Sequence, residues 1–396
     1  MRKYFKKINL ILIGILSLLF FTCNTPEYKK QKQIFTTTFK ENQSKNTAIS
    51  LEYYPENITK KVNHKLDSLL KRINKRHDFH GAILVAKNKK IVYRNQIGYA
   101  DFRKKINLKE ESAFQLASVS KQFTAAAIMI LFERNKIKIT DTINAYFPDF
   151  PYKNITIKNL LNHTAGLPKY FWVAEHKWKK NKAPTNSEMM QLLTATKVNR
   201  FFKPGRNFDY SNTAYFVLAS IIEKVSGTSF SNFLDKNIFE PLGMKNTYVY
   251  SYQNDVVKKN QLTGYRLYRG WKHIKIGNNV NDAVVGDKNV YSTIDDLFRW
   301  TNGLNTGKLL TKESLELMYS KGETIYGRKV PYGLGFRIDK NEKNIYHYGK
   351  WNGFSTGLSN YIEDDLVVIV LEHTSYNAIK SLNRKIKKIV TKHLDV

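Results

Sequence analysis

The chain has 396 residues, of which 42% are hydrophobic and 13% aromatic, and it carries 65 Lys and Arg against 33 Asp and Glu. This composition is typical of a globular protein and excludes a largely disordered one. The net charge of +32 raises the question of a nucleic-acid partner. The basic residues are spread along the whole sequence, with no arginine-rich arm, zinc-finger spacing or RNP-like aromatic run. We therefore expect no nucleic acid to bind.

The N-terminal segment has the pattern of an export signal. It begins with basic residues, contains no acidic residue up to position 22 and continues with an apolar run over 8–21. That run is short for a membrane-spanning helix and is typical of a signal peptide. Cys23, the only cysteine, follows directly. We predict a signal peptide over 1–22, cleavage and lipidation at Cys23, and a location in a bacterial cell envelope, anchored to the membrane on its periplasmic or surface side. An ordinary signal peptide before a chance cysteine is the alternative.

Residues 23–58 are rich in Lys, Gln, Thr and Asn and show no sustained period, which predicts a polar tether. We expect the folded domain to cover 59–396. Its first element is a helix, because Val62, Leu66, Leu69, Leu70 and Ile73 recur at helical spacing. Two strands over 82–86 and 90–93 follow, and Asn88-Lys89 between them indicates a hairpin. A helix-rich stretch then extends over 118–243.

Strand patterns return near the end of the chain, over 333–338, 345–348, 353–362 and 366–372. The last segment, 378–394, has apolar residues on one face and predicts a closing helix. Strands at both chain ends with helices between them predict an α+β fold, an α/β sandwich. In this fold an antiparallel sheet is built from both chain ends, flanked by helices, and interrupted by a large helical insertion.

The chemistry centres on Ser118 and Lys121, which begin a nearly all-apolar helical run. Residues three apart share a helix face, so the Lys121 amine lies within reach of the Ser118 hydroxyl. A helix N-terminus offers free N–H groups and a positive dipole end to a developing oxyanion. Apolar surroundings lower the pKa of a lysine, as a proton acceptor near neutral pH requires.

Ser-x-x-Lys alone is weak, because Ser68 and Lys71 have the same spacing on a helix that we interpret as structural. Two later elements distinguish Ser118. Tyr210-Ser211-Asn212 lies on a loop leading into an apolar helix, and His347-Tyr348-Gly349 lies on a predicted strand. Each element is weak by itself, but the three in this order are specific.

This ordered trio resembles the serine β-lactamase and penicillin-binding protein family, in particular its class C β-lactamase-like branch. That branch includes D-Ala-D-Ala carboxypeptidases, D-aminopeptidases and esterases. The similarity extends over about 60–394 and includes the segments 160–167, Leu-Leu-Asn-His-Thr-Ala-Gly-Leu, and 240–244, Glu-Pro-Leu-Gly-Met. It implies a serine hydrolase that forms an acyl-enzyme, and the N-terminal segment predicts that this hydrolase is exported.

The resemblance implies a role for each motif residue. Ser118 is the nucleophile, Lys121 its partner in proton transfer, and Tyr210 the base in acylation and proton relay to the leaving group. Asn212 contacts the substrate amide, and the backbone N–H groups of Ser118 and Lys350 form the oxyanion hole. The remaining predicted substrate-binding residues are His347, Gly349 and Trp351, the last as a pocket wall.

His347 departs from the Lys-Thr-Gly motif of β-lactamases, whose lysine binds a substrate carboxylate. A neutral imidazole binds a carboxylate less firmly, although a raised pKa would make His347 cationic. We therefore expect ester or peptide hydrolysis rather than β-lactam hydrolysis. Peptidoglycan stem peptides are one candidate substrate. A penicillin-binding sensor or wall-binding protein that is acylated but turns over slowly is the alternative.

No cofactor or metal is expected. The sequence contains no cluster of His, Cys or carboxylate residues at metal-ligand spacing and no glycine-rich phosphate loop. The expected partners are a small-molecule or peptide substrate and the membrane, the latter through the lipid anchor.

Overall fold

The computed structural model describes residues 48–252 and 254–394. The predicted signal peptide, Cys23 and most of the predicted tether lie outside these residues. Among the helices within them, none has both the length and the hydropathy that crossing a membrane requires.

The strands of the described residues form one large sheet and three small ones. In chain order they are β1 (Gly81–Lys87), β2 (Lys90–Ile97), β3 (Tyr99–Asp101), β4 (Ile106–Asn107), β5 (Phe114–Gln115), β6 (Tyr248–Val249), β7 (Tyr265–Tyr268), β8 (Lys272–Lys275), β9 (Val290–Ser292), β10 (Arg337–Ile338), β11 (Asn344–Trp351), β12 (Phe354–Tyr361) and β13 (Leu366–Glu372). The large sheet is antiparallel and has the order β10-β11-β12-β13-β1-β2. The pairing of β1 with β13, for example Leu84 opposite Ile369, joins the two chain ends as predicted.

The helices lie before, between and after these strands. They are α1 (Glu56–His77), α2 (Lys121–Glu133), α3 (Ile143–Tyr146), α4 (Ile157–Leu161), α5 (Tyr170–Lys177), α6 (Asn186–Thr196), α7 (Asn212–Ser226), α8 (Phe230–Leu234), α9 (Glu240–Leu242), α10 (Ile294–Asn305), α11 (Lys312–Tyr319) and α12 (Ile379–His393). A 3₁₀ turn, Ala117–Ser120, leads directly into α2.

Alternation along the strands gives the sheet two apolar faces. One face packs against α1 and α12, where Val62, Leu66 and Ile386 are almost fully buried. The other face packs against the helical insertion, in a larger core that includes Leu84 and Ile369. The buried helices α2 and α7 belong to this second core. The α+β fold predicted from the sequence is confirmed.

The start of the folded unit lies earlier in the chain than residue 59. The Tyr54 N–H donates to Ile91 O at 3.0 Å, and the Ile91 N–H donates to Glu52 O at 2.7 Å. Helix α1 then begins at Glu56. The last part of the predicted tether therefore lies along β2 and belongs to the domain.

The predicted strand over 333–338 is mostly a turn, and only Arg337 and Ile338 pair with β11. The Gly333 N–H donates to Phe336 O at 2.9 Å, and the Leu334 N–H donates to Met318 O at 2.9 Å. These bonds use the donors that a strand would present to its neighbour. Strands β12 and β13 begin and end within one residue of their predicted bounds. Strand β11 is longer than predicted and extends over 344–351.

Candidate active site

Ser118 lies on a turn held from two sides. The Leu116 N–H donates to Val290 O at 2.8 Å, and the Thr356 hydroxyl donates to Leu116 O at 2.7 Å. Ala117 follows with φ 49°, in the left-handed region that residues with a Cβ rarely adopt. Ser118 is partly exposed, whereas its neighbours are buried. The turn therefore presents Ser118 at the surface of a rigid core.

Lys121 is fully buried and has three polar neighbours. Its Nζ lies 2.8 Å from Asn212 Oδ1, 2.8 Å from the backbone oxygen of Asp287 and 3.3 Å from Ser118 Oγ. A neutral amine has two N–H groups and one lone pair. Because two carbonyl oxygens take the two N–H groups, the lone pair is directed at the Ser118 hydroxyl.

Burial lowers the pKa of Lys121 to about 7, with a further lowering by Arg337 and an opposing effect of Asp287. A large fraction of the amine is therefore neutral near pH 7 and able to accept a proton. The structure thus brings Ser118 and Lys121 together as the spacing predicted, with the environment that a base requires.

Tyr210 lies beside this pair, with its ring 5.0 Å from Lys121 Nζ. Its hydroxyl oxygen is buried and makes no hydrogen bond within the part of the chain that the structure describes. Burial raises the pKa of Tyr210, while Ser118 and Arg337 act in the opposite direction. Tyr210 is therefore a protonated phenol near neutral pH. A protonated phenol is able to relay a proton, and the role of Tyr210 as the base in acylation stays a prediction.

Asn212 is the first residue of α7, whose N-cap is Ser211. The Asn212 Oδ1 atom accepts a hydrogen bond from Lys121. Its Nδ2 group is therefore not bonded to Lys121, and its contact with a substrate amide stays a prediction.

Strand β11 supplies the second half of the predicted oxyanion hole. Asn352 and Gly353 both have positive φ, 44° and 87°, and form a two-residue hairpin loop between Trp351 and Phe354. In such hairpins the pair that closes the loop is hydrogen bonded and the next pair is not. The N–H of Lys350, in that next pair, therefore points away from β12.

The lack of space for a side chain at Gly349 shows how closely β11 approaches the Ser118 turn. A Cβ at Gly349 would lie 2.4 Å from Leu116 O and 2.9 Å from Ser118 N. Only glycine allows β11 to come this near. This close approach brings the backbone of β11 next to Ser118 N, and the oxyanion hole formed by the N–H groups of Lys350 and Ser118 stays a prediction.

His347 is not available to bind a substrate carboxylate, and the sequence-based prediction of that contact is not supported. The imidazole is fully buried. Its Nδ1–H donates to Tyr348 O at 2.9 Å, so Nε2 accepts from the Tyr332 hydroxyl at 2.9 Å. Burial lowers the pKa of His347 well below its ordinary value. His347 is neutral and supports the wall behind Tyr210 (ring centroids 6.0 Å apart).

Trp351 is held in place from two sides. Its Nε1–H donates to Asp282 at 2.6 Å, and its ring lies 4.9 Å from that of Phe171. This arrangement is consistent with the predicted role of Trp351 as a wall.

Arg337, on β10, is a site residue that the sequence analysis missed. Its guanidinium carbon lies 4.9 Å from the Tyr210 ring centroid and 6.0 Å from that of Tyr332. Its charge acts on Lys121, Tyr210 and His347. The sequence offered one weak signal for Arg337, namely a basic residue near the end of the predicted strand 333–338, which precedes the predicted strand with His347.

His163 packs behind the same tyrosines. Its ring lies 4.3 Å from that of Tyr210 and 4.3 Å from that of Tyr332. Its Nδ1 atom accepts a hydrogen bond from the Ser211 N–H at 3.1 Å. His163 therefore holds the loop that carries Tyr210.

Outside this site, the structure brings together three residues of types that bind metal ions, Asp78, His80 and His273. The Tyr99 N–H donates to His80 Nδ1 at 3.0 Å, so the His80 proton is on Nε2. That proton is directed to Asp78 Oδ1 at 3.1 Å, and His273 Nε2 lies 2.7 Å from Asp78 Oδ2. A metal ion would need the lone pair that this Nε2 lacks, so we interpret the group as a hydrogen-bonded tie.

Proteins of similar sequence and structure are known. A sequence profile named Beta-lactamase matches residues 66–390. Penicillin-binding protein 4* of Bacillus subtilis is 32% identical over 332 residues, covering 78% of this chain and 71% of that protein. A D-aminopeptidase of Brucella anthropi is 26% identical over 266 residues, covering 66% of this chain and 49% of that protein. The octameric penicillin-binding protein homologue from Pyrococcus abyssi has a similar structure, with TM-score 0.69, 26% identity and coverage of 84% of this chain and 79% of that chain.

Fold and site together define a class, the serine hydrolases. The chain belongs to the beta-lactamase/transpeptidase-like family.

Proposed function

We propose that the protein is a serine hydrolase of the class C β-lactamase-like branch that forms an acyl-enzyme at Ser118 and cleaves an ester or amide bond. The observation that carries the proposal is the commitment of both Lys121 N–H groups to Asn212 Oδ1 and Asp287 O. This arrangement leaves the amine lone pair to accept the Ser118 proton.

The reaction begins when the Ser118 hydroxyl gives its proton to Lys121 Nζ and its oxygen attacks the substrate carbonyl carbon. The N–H groups of Ser118 and Lys350 stabilise the resulting oxyanion, and one such donor contributes about 3 kcal/mol in a typical acyl-transfer site. Tyr210 then gives its phenolic proton to the leaving group and regains one from Lys121. Water hydrolyses the acyl ester and returns Ser118 to its free form.

Arg337 supports a substrate with a carboxylate group. Because His347 is neutral and Lys121 serves as the proposed base, Arg337 is left as the cation for a carboxylate, 4.9 Å from the Tyr210 ring centroid. Guanidinium groups bind carboxylates through two parallel hydrogen bonds. A peptide that ends in a D-amino acid, such as a cell-wall stem peptide, has the required carboxylate. Similarity to a D-aminopeptidase supports a D-amino-acid substrate.

We also propose that the protein is exported and anchored through a lipid on Cys23. The basic start, the apolar run over 8–21 and the position of Cys23 support this location.

A hydrolysis panel of a chromogenic ester, a D-Ala-D-Ala peptide and a β-lactam tests the proposal. We expect turnover of the ester and the peptide, slower turnover of the β-lactam, and none with Ser118→Ala. Ser68→Ala is a matched control, because Ser68 has the same Ser-x-x-Lys spacing on an exposed helix face; it should leave every rate unchanged. Arg337→Gln should reduce kcat/KM for the peptide more than for the ester.

The panel also separates the two candidate functions. Labelling of the Ser118→Ala protein by a fluorophosphonate or penicillin probe would contradict the assignment of the nucleophile. A burst of one product per enzyme without further turnover would favour a penicillin-binding sensor, a function that the name of the Bacillus subtilis relative makes worth testing.

A further inference from the structure

A buried ion pair lies next to the carbonyl group that holds Lys121. Asp287 and Lys288 are adjacent in the chain, and Lys288 Nζ lies 3.2 Å from Asp287 Oδ1. The side chain of Lys288 is 3% exposed and that of Asp287 is 0% exposed. The backbone oxygen of Asp287 accepts the 2.8 Å hydrogen bond from Lys121. Taking two charges out of water is costly, and the reaction described above uses neither side chain.

Aromatic side chains surround the ion pair and bond to it. The Tyr170 hydroxyl donates to Asp287 Oδ2 at 3.0 Å, and Lys288 Nζ donates to the Tyr170 oxygen at 2.6 Å. The ammonium group also lies 5.2 Å from the Phe171 ring centroid and 5.3 Å from that of Trp351. Aromatic faces attract and stabilise a desolvated cation.

The preceding backbone is fixed against the helices that carry the catalytic groups. The Thr124 hydroxyl, on α2, donates to Gly286 O at 2.6 Å. Gly286 has φ 110°, and a Cβ there would lie 2.6 Å from Tyr215 O on α7. The carbonyl group of Asp287 is therefore held at a defined position relative to Lys121.

Few charges act on Lys121. The titratable groups that face it are Tyr210, Tyr215, His163, His347, Arg337 and Asp287, with Lys288 bonded to Asp287. Burial keeps both histidines neutral and both tyrosines protonated, because it lowers the histidine pKa values and raises those of the tyrosines. Among the described residues, the charges that remain around Lys121 are those of Arg337, Asp287 and Lys288, and the buried Asp282 acts in turn on Lys288.

We propose that Asp287 and Lys288 are positioning residues for Lys121: the Asp287 carbonyl orients the amine, and the Lys288 cation offsets the Asp287 carboxylate so that Lys121 remains able to accept a proton. The inference rests on the proposed role of Lys121 as the base. Removing the charge of Asp287 and removing the charge of Lys288 should then shift the pKa of Lys121 in opposite directions.

The experiment is a charge cycle read by the pH dependence of kcat/KM for 4-nitrophenyl acetate. Lys288→Met removes a cation and leaves the carboxylate unbalanced, so the pKa of Lys121 rises and the acidic limb moves to higher pH. Asp287→Asn removes the anion, so the limb moves to lower pH. We expect shifts of about one pH unit at an effective dielectric constant of about 20. The double variant should return close to the wild-type limb.

Two controls separate this role from a structural one. Lys288→Arg keeps the charge and should leave the limb in place. Lys87→Met removes a partly buried lysine that donates to Asp364 O at 2.9 Å on another part of the sheet, and it should not move the limb either. A merely structural role would lower the rate without shifting the limb in opposite directions. If Lys288→Met does not fold, the downward shift with Asp287→Asn still tests the sign.

An activity-independent measurement keeps the inference distinct from the proposed function. NMR titration of ¹³Cε-labelled lysine, with Lys121→Met to assign the signal, reports the pKa of Lys121 directly. Absence of Ser118 reactivity in the wild type would refute the proposed function while this titration still decides the inference. An unchanged Lys121 pKa in both single variants, or shifts of the same sign, would overturn it.

Discussion

At the scale of single residues, hydrogen-bond partners rather than spacing distinguish the candidate nucleophile, Ser118, from Ser68. Ser68 and Lys71 have the same separation as Ser118 and Lys121, but both are exposed, and the Ser68 hydroxyl donates to His64 O at 2.9 Å within its own helix. Lys121 instead makes both of its short hydrogen bonds with residues distant in sequence. The sequence therefore predicted the proximity of the pair and a lowered lysine pKa from apolar surroundings, but not the hydrogen-bond partners that orient the amine.

Gly349 provides a test at this scale. A Cβ there would lie 2.4 Å from Leu116 O and 2.9 Å from Ser118 N, so Gly349→Ala should force the Ser118 turn away from β11 and disrupt the oxyanion hole. We expect ester hydrolysis to fall by about 10²-fold or more. Steady-state kinetics measure the loss, and thermal unfolding checks that the variant is folded.

Gly277→Ala is the matched control, because a Cβ at Gly277 would have no neighbour within 4 Å. It should retain the wild-type rate. Full activity of a folded Gly349→Ala protein would contradict the close approach of β11 to the nucleophile.

At the scale of elements, short ties between distant segments decide the architecture around the sheet. The hairpin of β7 and β8 is joined to the end of α1 through Asp78, whose carboxylate lies 2.7 Å from His273 Nε2 and 3.1 Å from His80 Nε2. Burial raises the pKa of Asp78, but the hydrogen bonds from the two histidines outweigh it and hold the pKa below its ordinary value. The ionised carboxylate therefore stabilises the folded state.

Asp78→Asn tests this tie. Asparagine tolerates the left-handed backbone at this position, where φ is 53°, so the substitution removes mainly the charge. We expect the free energy of unfolding to fall by about 1–2 kcal/mol at pH 7. Because a lowered carboxyl pKa contributes stability above its unfolded value, the difference should persist down to about pH 4 and shrink only below that.

Urea denaturation of both proteins across this pH range measures the difference. Glu363→Gln, which breaks an exposed pair with Lys343, is the control and should change stability by less than about 0.5 kcal/mol. An Asp78→Asn protein as stable as the wild type at pH 7 would show that the tie is weak.

At the scale of the whole molecule, the fold brings residues from three distant parts of the chain to one point. Strand β1 from the start of the domain pairs with β13 near its end. The helical insertion then places α2 and α7 against the sheet, so that Lys121 bonds to Asn212 and Gly349 lies against the Ser118 turn. A site assembled in this way depends on the complete domain.

Export concerns the whole chain as well. In cells that process bacterial lipoproteins, we expect the wild type to incorporate radiolabelled palmitate and remain with the membrane after washing with high salt. Cys23→Ser should lose the label, because the thiol is the acceptor, and Thr25→Ala should keep it. A labelled Cys23→Ser protein would contradict lipidation at this position.

The sequence by itself determined the family and the α+β order of elements, and it predicted Ser118, Lys121, Tyr210 and Asn212 as site residues, because periodicity and motif order are local properties. Bounds of most C-terminal strands followed from the same alternation. The tertiary structure alone decided which groups carry charge. Burial makes His347 neutral, adjacent strands bring Arg337 to Tyr210, and the fold buries Asp287 and Lys288 beside Lys121. Desolvation and contact between distant segments set these charge states and contacts, and residue spacing alone predicts neither.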